Sequence, residues 1–228
     1  MALFTPPEPQ TVVDKYLRAL RTPHKLLSLH PRGVGHPGNA AVLSPAIVLT
    51  SISAFEGFAE DFLAVTLAHQ GAGFAEIAKA VGAWNNPALP EFADRMRAVV
   101  PPAAADIDSA ATVTIPVFPT MNYRSPTLRP FGWTEAKKQS RAWMQVRHAL
   151  THGLTTGWRA EQWPPPLRQN DPHANTVLRP MRHGDYSLVI AGSISCARIY
   201  SFGAQKIANA VADANGWTLN WDAIPDFD

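Results

Sequence analysis

The sequence predicts an all-α protein: a bundle of helices joined by long, proline-rich connections. Hydrophobic residues make up 46% of its 228 residues, which is enough to build one core in a single domain spanning residues 1–228. Alanine-rich segments with helical periodicity alternate with joints that hold many of the 21 prolines. No regular alternation of strand and helix patterns, as in an α/β fold, runs along the chain.

The first half of the chain predicts a flexible start over residues 1–10 and then a helix. This helix covers residues 8–21 and breaks near Pro23 before continuing over residues 23–29. A loop rich in glycine and proline leads to the strongest helical pattern, at residues 46–68. Its apolar side chains form one continuous stripe: Val48, Ile52, Phe55, Ala59, Phe62 and Leu63.

The rest of the chain predicts shorter helices, one long irregular connection and a final long helix. The stretch 112–118 is extended in character, but Pro116 restricts it to an edge strand or a loop. Helices are expected at residues 74–84, 90–99, 134–152 and 186–214, with an irregular basic connection from Pro164 to about Asp185. Gly216 ends the last helix, and the tail 217–228 is expected to dock as a strap or to contact a partner.

Several protein classes do not fit this composition. There is no uninterrupted apolar run of 18 residues and no signal-peptide pattern, so neither a membrane span nor export is expected. The lone Cys196 cannot form an internal disulfide, which favours a reduced cytoplasmic protein. Neither a glycine-rich phosphate loop nor a serine-hydrolase elbow is present. We therefore expect no cofactor.

The most informative stretch is Arg147-His148-Ala149-Leu150-Thr151-His152-Gly153. An arginine keeps its charge and fits phosphate oxygens, whereas a histidine exchanges protons near neutral pH, and metal-free RNA cleavage needs both abilities. Gly153 is suited to the left-handed residue that follows a helix, so His152 is expected to close it, where the helix dipole favours an imidazolium. The alternative is that His152 only caps the last carbonyl groups.

The spacing of the motif places its side chains on different faces. Arg147 lies at the edge of the apolar stripe, and His152 is turned from it by roughly 140° on a straight helix. His148 and His152 point to one side together, near Arg141, as in zinc-binding histidine pairs. However, the second position of the zinc motif is Ala149 instead of glutamate, and no third ligand stands out, so no metal site is predicted.

Glu56 lies inside the apolar stripe of the long helix of residues 46–68. A buried carboxylate needs a partner because an unpaired charge in a core is strongly unfavourable. Arg147 is the candidate partner. The alternative is that Glu56 lies at a helix margin with its carboxylate in water.

Positive charge is concentrated around the motif although the net charge is only +2. Residues 121–183 hold ten Lys or Arg against three acidic residues, and the rest of the chain holds ten against fifteen. This asymmetry favours a polyanion, with Arg141, Arg168, Arg179 and Arg182 as candidate RNA contacts. Three tryptophans in this region could stack on unpaired bases or, alternatively, pack in the core: Trp143, Trp158 and Trp163.

The motif resembles the R-x(4-6)-H signature of HEPN domains, an all-α superfamily that includes toxin and antiviral ribonucleases. The resemblance covers residues 44–67 and 134–153 best. It implies a homodimer whose motif helices face each other, and cleavage to 2′,3′-cyclic phosphate and 5′-hydroxyl ends without metal. His152 would be general base or acid, Arg147 would stabilise the phosphorane, Glu56 would orient Arg147, and His148 would add a polar contact.

The resemblance also leaves alternatives open. A non-catalytic HEPN module that binds RNA, a nucleotide or a partner protein is the second interpretation, and a purely structural helical dimer is the third. A neutralising antitoxin is a further expected partner. Some family toxins carry a modified tyrosine two residues after the motif histidine; Leu154 stands at that position here, so this mode of neutralisation does not fit.

Overall fold

The computed structural model describes residues 6–31, 38–118, 126–166 and 168–228, and the described chain is mostly helical. The N-terminal five of the residues expected to be flexible lie outside this part, but Pro9 already begins a helix. The seven helices of the described residues are α1 Pro9–Ser28, α2 Leu43–His69, α3 Phe74–Gly82, α4 Leu89–Val99, α5 Ala104–Asp108, α6 Trp133–Thr151 and α7 Ile190–Asn215.

Two small antiparallel sheets correct the purely helical prediction. Strand β1 (Thr112–Val117) pairs with β2 (Thr127–Gly132), and β3 (Arg179–Pro180) pairs with β4 (Tyr186–Ser187). The edge character predicted from Pro116 is correct, since both strands of a two-stranded sheet are edges and tolerate proline there. Strand β2 was not expected, because Pro130 and Gly132 within it resemble a loop. The start of α7 is later than predicted because Tyr186 belongs to β4.

Helix α2 lies at the centre of the bundle and packs against α1, α4, α6 and α7. All six residues of its predicted apolar stripe are buried, and Phe55 lies 5.8 Å from Phe92 and 4.8 Å from Tyr200 between ring centroids. Of the described residues, Ala40–His69 is also long and apolar enough to cross a membrane by length and composition. Central helices of packed bundles pass the same test, and the absence of a membrane span stays a prediction.

The expected break at Pro23 is wrong, because α1 continues through this residue to Ser28. Proline in a helix removes one backbone hydrogen bond and crowds the preceding turn. Here Pro23 is buried, and so are Leu20 before it and Leu27 after it. Burial of apolar residues on both sides of Pro23 keeps the two halves of α1 on the same face of the bundle.

The C-terminal tail docks on its own chain, as one of the two predicted alternatives states. Trp221 and Phe227 are buried, and the ring centroid of Trp221 is 5.9 Å from that of Phe58 in α2. The backbone N–H of Asn220 donates to the side chain of Gln10 at 2.7 Å. Arg198 of α7 donates to the Phe227 carbonyl at 3.2 Å and forms an ion pair with Asp228. The tail therefore joins the first helix to the last.

Candidate active site

The motif helix ends as its sequence predicts. Helix α6 stops at Thr151, and His152 is the residue that caps it, with its N–H bonded to the His148 carbonyl at 3.0 Å. Gly153 adopts φ +66°, the left-handed conformation that glycine adopts without steric penalty, and Leu154 N–H donates to the Ala149 carbonyl at 2.9 Å. The His152 side chain is exposed at this helix end.

Arg147 is held between two other parts of the chain. Its Nη2 lies 3.2 Å from Glu56 Oε2 in α2, and its Nη1 donates to Asn86 Oδ1 at 2.8 Å. The Arg147 and Glu56 side chains are only 20% and 13% exposed. The predicted partnership of Glu56 with Arg147 is confirmed, and the alternative of a carboxylate directed into water is wrong.

Asn86 is the site residue that sequence reasoning missed. It lies in the connection between α3 and α4 and adopts φ +49°, a conformation that asparagine tolerates better than most residues. The Asn85-Asn86-Pro87 sequence is a turn signal, but a turn signal does not reveal which distant side chain the turn will meet. Its amide oxygen fixes the second nitrogen of the guanidinium.

The environment of Glu56 is a balance of opposing effects. Burial raises the pKa of Glu56 above its ordinary value, whereas Arg147 lowers it and Glu60 raises it further. Glu56 Oε1 is buried without a hydrogen-bond partner in the described residues. Desolvation opposes this ion pair, and the attraction between the two charges favours it. Removing either residue would leave the other polar group buried without its partner.

The two motif histidines lie side by side. The rings of His148 and His152 are nearly parallel, with an interplanar angle of 11° and centroids 6.1 Å apart. The pKa of His148 is lowered, chiefly by burial and then by the positive charges of Arg147, His152 and Arg168. His148 therefore favours its neutral form.

We expect His148 to be neutral at pH 7 and to titrate below its ordinary pKa of 6.5. Because the folded-state pKa is lowered, the stability that neutral His148 contributes is present above pH 6.5 and is lost as the pH falls through the lowered value. NMR titration of the imidazole signals measures this directly, with His148→Gln identifying the resonance. A midpoint at or above 6.5 would contradict the expectation.

The four arginines proposed to contact RNA differ in their surroundings. Arg141 donates through Nε and Nη2 to Glu91 Oε1 at 3.0 and 2.8 Å, so its charge is largely engaged within the protein. Arg168 is exposed and close enough to His148 to lower its pKa. Arg179 is half-buried with its guanidinium 5.1 Å from the Phe118 ring, whereas Arg182 is exposed.

The three tryptophans of the basic region differ in their exposure to solvent. Trp143 is 1% exposed and packs in the core, so it cannot stack on a base without unfolding. Trp163 is half-buried and its Nε1 donates to the Tyr186 carbonyl at 3.3 Å. Trp158 alone of the three is exposed.

The candidate catalytic residues Arg147 and His152 do not converge within one chain. Arg147 faces α2 and Asn86, whereas His152 faces solvent beyond the helix end. Across the residues that the structure describes, no group of three or more His, Cys, Asp or Glu side chains is arranged to hold a metal ion. Comparison with protein-family models, curated proteins and solved structures finds no match to this chain.

Proposed function

We propose that the protein is a metal-independent endoribonuclease of the HEPN type. One observation carries the proposal: the guanidinium of Arg147 is fixed by Glu56 and Asn86 on the same helix end that presents two parallel imidazoles, one of them exposed. A fixed cation and a proton-exchanging group are the two requirements of phosphodiester cleavage through the 2′-hydroxyl.

The chemistry assigns one role to each group. His152 removes the proton from the 2′-hydroxyl as its oxygen forms a bond to the adjacent phosphorus, and the bond from phosphorus to the 5′-oxygen breaks. The leaving oxygen receives a proton from an imidazolium, giving 2′,3′-cyclic phosphate and 5′-hydroxyl ends. Arg147 stabilises the charge on the phosphorane, Glu56 keeps Arg147 in place, and His148 offers a neutral hydrogen-bonding imidazole.

A homodimer would complete the site. Because Arg147 is directed inward and His152 outward on one helix, a second copy facing it would bring one protomer's arginine beside the other's histidine. This arrangement also supplies two copies of His152, one as base and one as acid. The exposed Arg168 and Arg182 lie in the connection after α6, where they would contact phosphates of the bound RNA.

A non-catalytic binding module is the second candidate, and one observation favours it. Both terminal nitrogens of Arg147 already have protein partners, Asn86 and Glu56. These bonds use two of its five N–H groups, and because the side chain is only 20% exposed, it must direct the remaining N–H groups toward the RNA to hold a phosphorane. If it does not, the same surface would bind RNA without cleaving it.

Cleavage should not need a divalent metal, because an imidazole moves the protons and a guanidinium neutralises the charge. Purified protein incubated with RNA in excess chelator is expected to give the same rate as without chelator, with cyclic-phosphate ends on the products. Loss of activity on chelation that a divalent ion restores would rule out this mechanism. RNA that is bound but never cut, with or without metal, would support the binding module.

A further inference from the structure

A short turn follows the motif helix and is held by one carboxylate. Both oxygens of Glu161 lie 3.0 Å from the backbone nitrogen of Thr156, and one accepts a weaker bond from the Gly157 N–H at 3.4 Å. The Thr156 hydroxyl also donates to this carboxylate. The backbone of Glu161 exchanges two hydrogen bonds with Tyr186, at 2.9 and 2.8 Å. The turn is therefore fixed internally and tied to β4.

The turn also packs against the end of the motif helix. Gly157 adopts φ +77°, and a Cβ at this position would lie 2.7 Å from Leu150 Cδ2 and 3.2 Å from Pro45 Cβ. Only glycine fits both the conformation and the contact. Because Leu150 belongs to the last turn of α6, residue 158 is held close to the helix end that carries His152.

This anchored turn presents an aromatic ring to solvent. Trp158 is 41% exposed and is the only exposed one of the seven tryptophans, all of which the structure describes. The guanidinium of Arg159 lies 4.3 Å from the centroid of the Trp158 ring. An exposed tryptophan on a fixed turn keeps its accessible surface available for contact, and a stacked arginine adds a positive charge beside it.

We propose that Trp158 and Arg159 form a stacking platform for an unpaired nucleobase of the RNA. This inference rests on the proposed function and specifies its substrate: single-stranded RNA, or an unpaired loop, with one base on the Trp158 ring beside the C-terminal end of α6. Bases inside a duplex are already stacked on both faces and cannot use the platform. Every base has a π face, so the platform selects for lack of pairing more than for sequence.

The test measures binding without cleavage. A fluorescein-labelled hexamer of 2′-O-methyl adenosine lacks the attacking hydroxyl, and an abasic oligomer of the same length and charge lacks the bases. We expect the wild type to bind the adenosine hexamer more tightly than the abasic oligomer by fluorescence anisotropy. Trp158→Ala should weaken hexamer binding about tenfold, the loss typical of one base–aromatic stack, and should leave abasic binding unchanged.

Three further variants sharpen the result. Trp158→Phe keeps a ring and should retain most of the affinity, and Leu154→Ala, at a neighbouring exposed apolar side chain, should have no effect. Arg159→Lys keeps the charge but lacks the planar group, so it should weaken binding of the hexamer more than binding of the abasic oligomer. Circular dichroism checks that the variants are folded.

The platform is refuted if Trp158→Ala binds the hexamer as the wild type does, or if the wild type binds both oligomers equally. An equal loss in Leu154→Ala would also refute it, since that indicates a general apolar surface. Failure of the proposed function has a different signature: the binding differences persist, but unmodified RNA is not cleaved.

Discussion

Replacing His152 with alanine should abolish RNA cleavage while leaving the fold intact. General acid–base catalysis contributes roughly 10²- to 10⁴-fold to a rate, so a loss of at least 100-fold is expected if His152 moves the protons. The side chain is exposed and its backbone bond to His148 does not depend on the ring, so the melting temperature should change little. Single-turnover cleavage at saturating RNA, together with thermal unfolding, measures both effects.

The matched control for this change is His148→Ala, on the same face of the same helix end. It should reduce the rate less, because His148 is assigned a contact and not a proton transfer. Mixing inactive His152→Ala protein with inactive Arg147→Ala protein tests the composite site: a dimer that combines both residues across its interface should regain part of the activity. A His152→Ala variant that cleaves at the wild-type rate would leave the binding module as the better interpretation.

Glu56→Ala should destabilise the protein more than either histidine change. It strands the guanidinium of Arg147, which is only 20% exposed, with Asn86 as its remaining described side-chain partner. We expect a loss of about 1.5–3 kcal/mol, the range for hydrogen bonds to charged groups, and a fall in melting temperature of about 3–12 °C. Cleavage should also fall, because Arg147 would no longer be held in position.

Asp61→Ala provides the matched control on the same helix. Its ion pair with Lys15 is exposed, 39% and 68% for the two side chains, and exposed pairs contribute at most about 1 kcal/mol. Urea unfolding measures the loss of stability in Glu56→Ala and in Asp61→Ala, and we expect the first loss to be larger. Equal, small losses would mean that the Glu56–Arg147 pair contributes no more than a surface pair, contrary to its burial.

Helical periodicity accounts for what could be foreseen from the sequence. Glu56 lies within the apolar stripe of α2, so its carboxylate requires a positively charged partner from another segment. Arg147 lies at the margin of the apolar stripe of α6 and can provide that charge. Gly153 and Gly216 likewise mark the ends of α6 and α7 because left-handed backbone favours glycine. These inferences need only local geometry and the energetics of a buried charge.

The features that were not foreseen depend on contacts between distant segments. Asn86 reaches Arg147 across 61 residues of sequence, and nothing in its turn signal specifies that meeting. The pairing of β1 with β2 and the continuity of α1 through Pro23 are decided by packing, which overrides local propensity. Composition likewise does not show that Trp143 is buried and Trp158 exposed.

The docked tail has a consequence for when the protein can finish folding during synthesis. Helices α1 and α2 can pair as soon as both have left the ribosome, because they are close in sequence. The bond between Gln10 and Asn220 spans 210 residues, and Trp221 covers Phe58 on α2. The pair of α1 and α2 therefore waits, with part of its apolar surface uncovered, until the segment that contains Asn220 and Trp221 has been translated. Its last packing step follows the synthesis of α7, and until then the uncovered surface is open to non-native contacts.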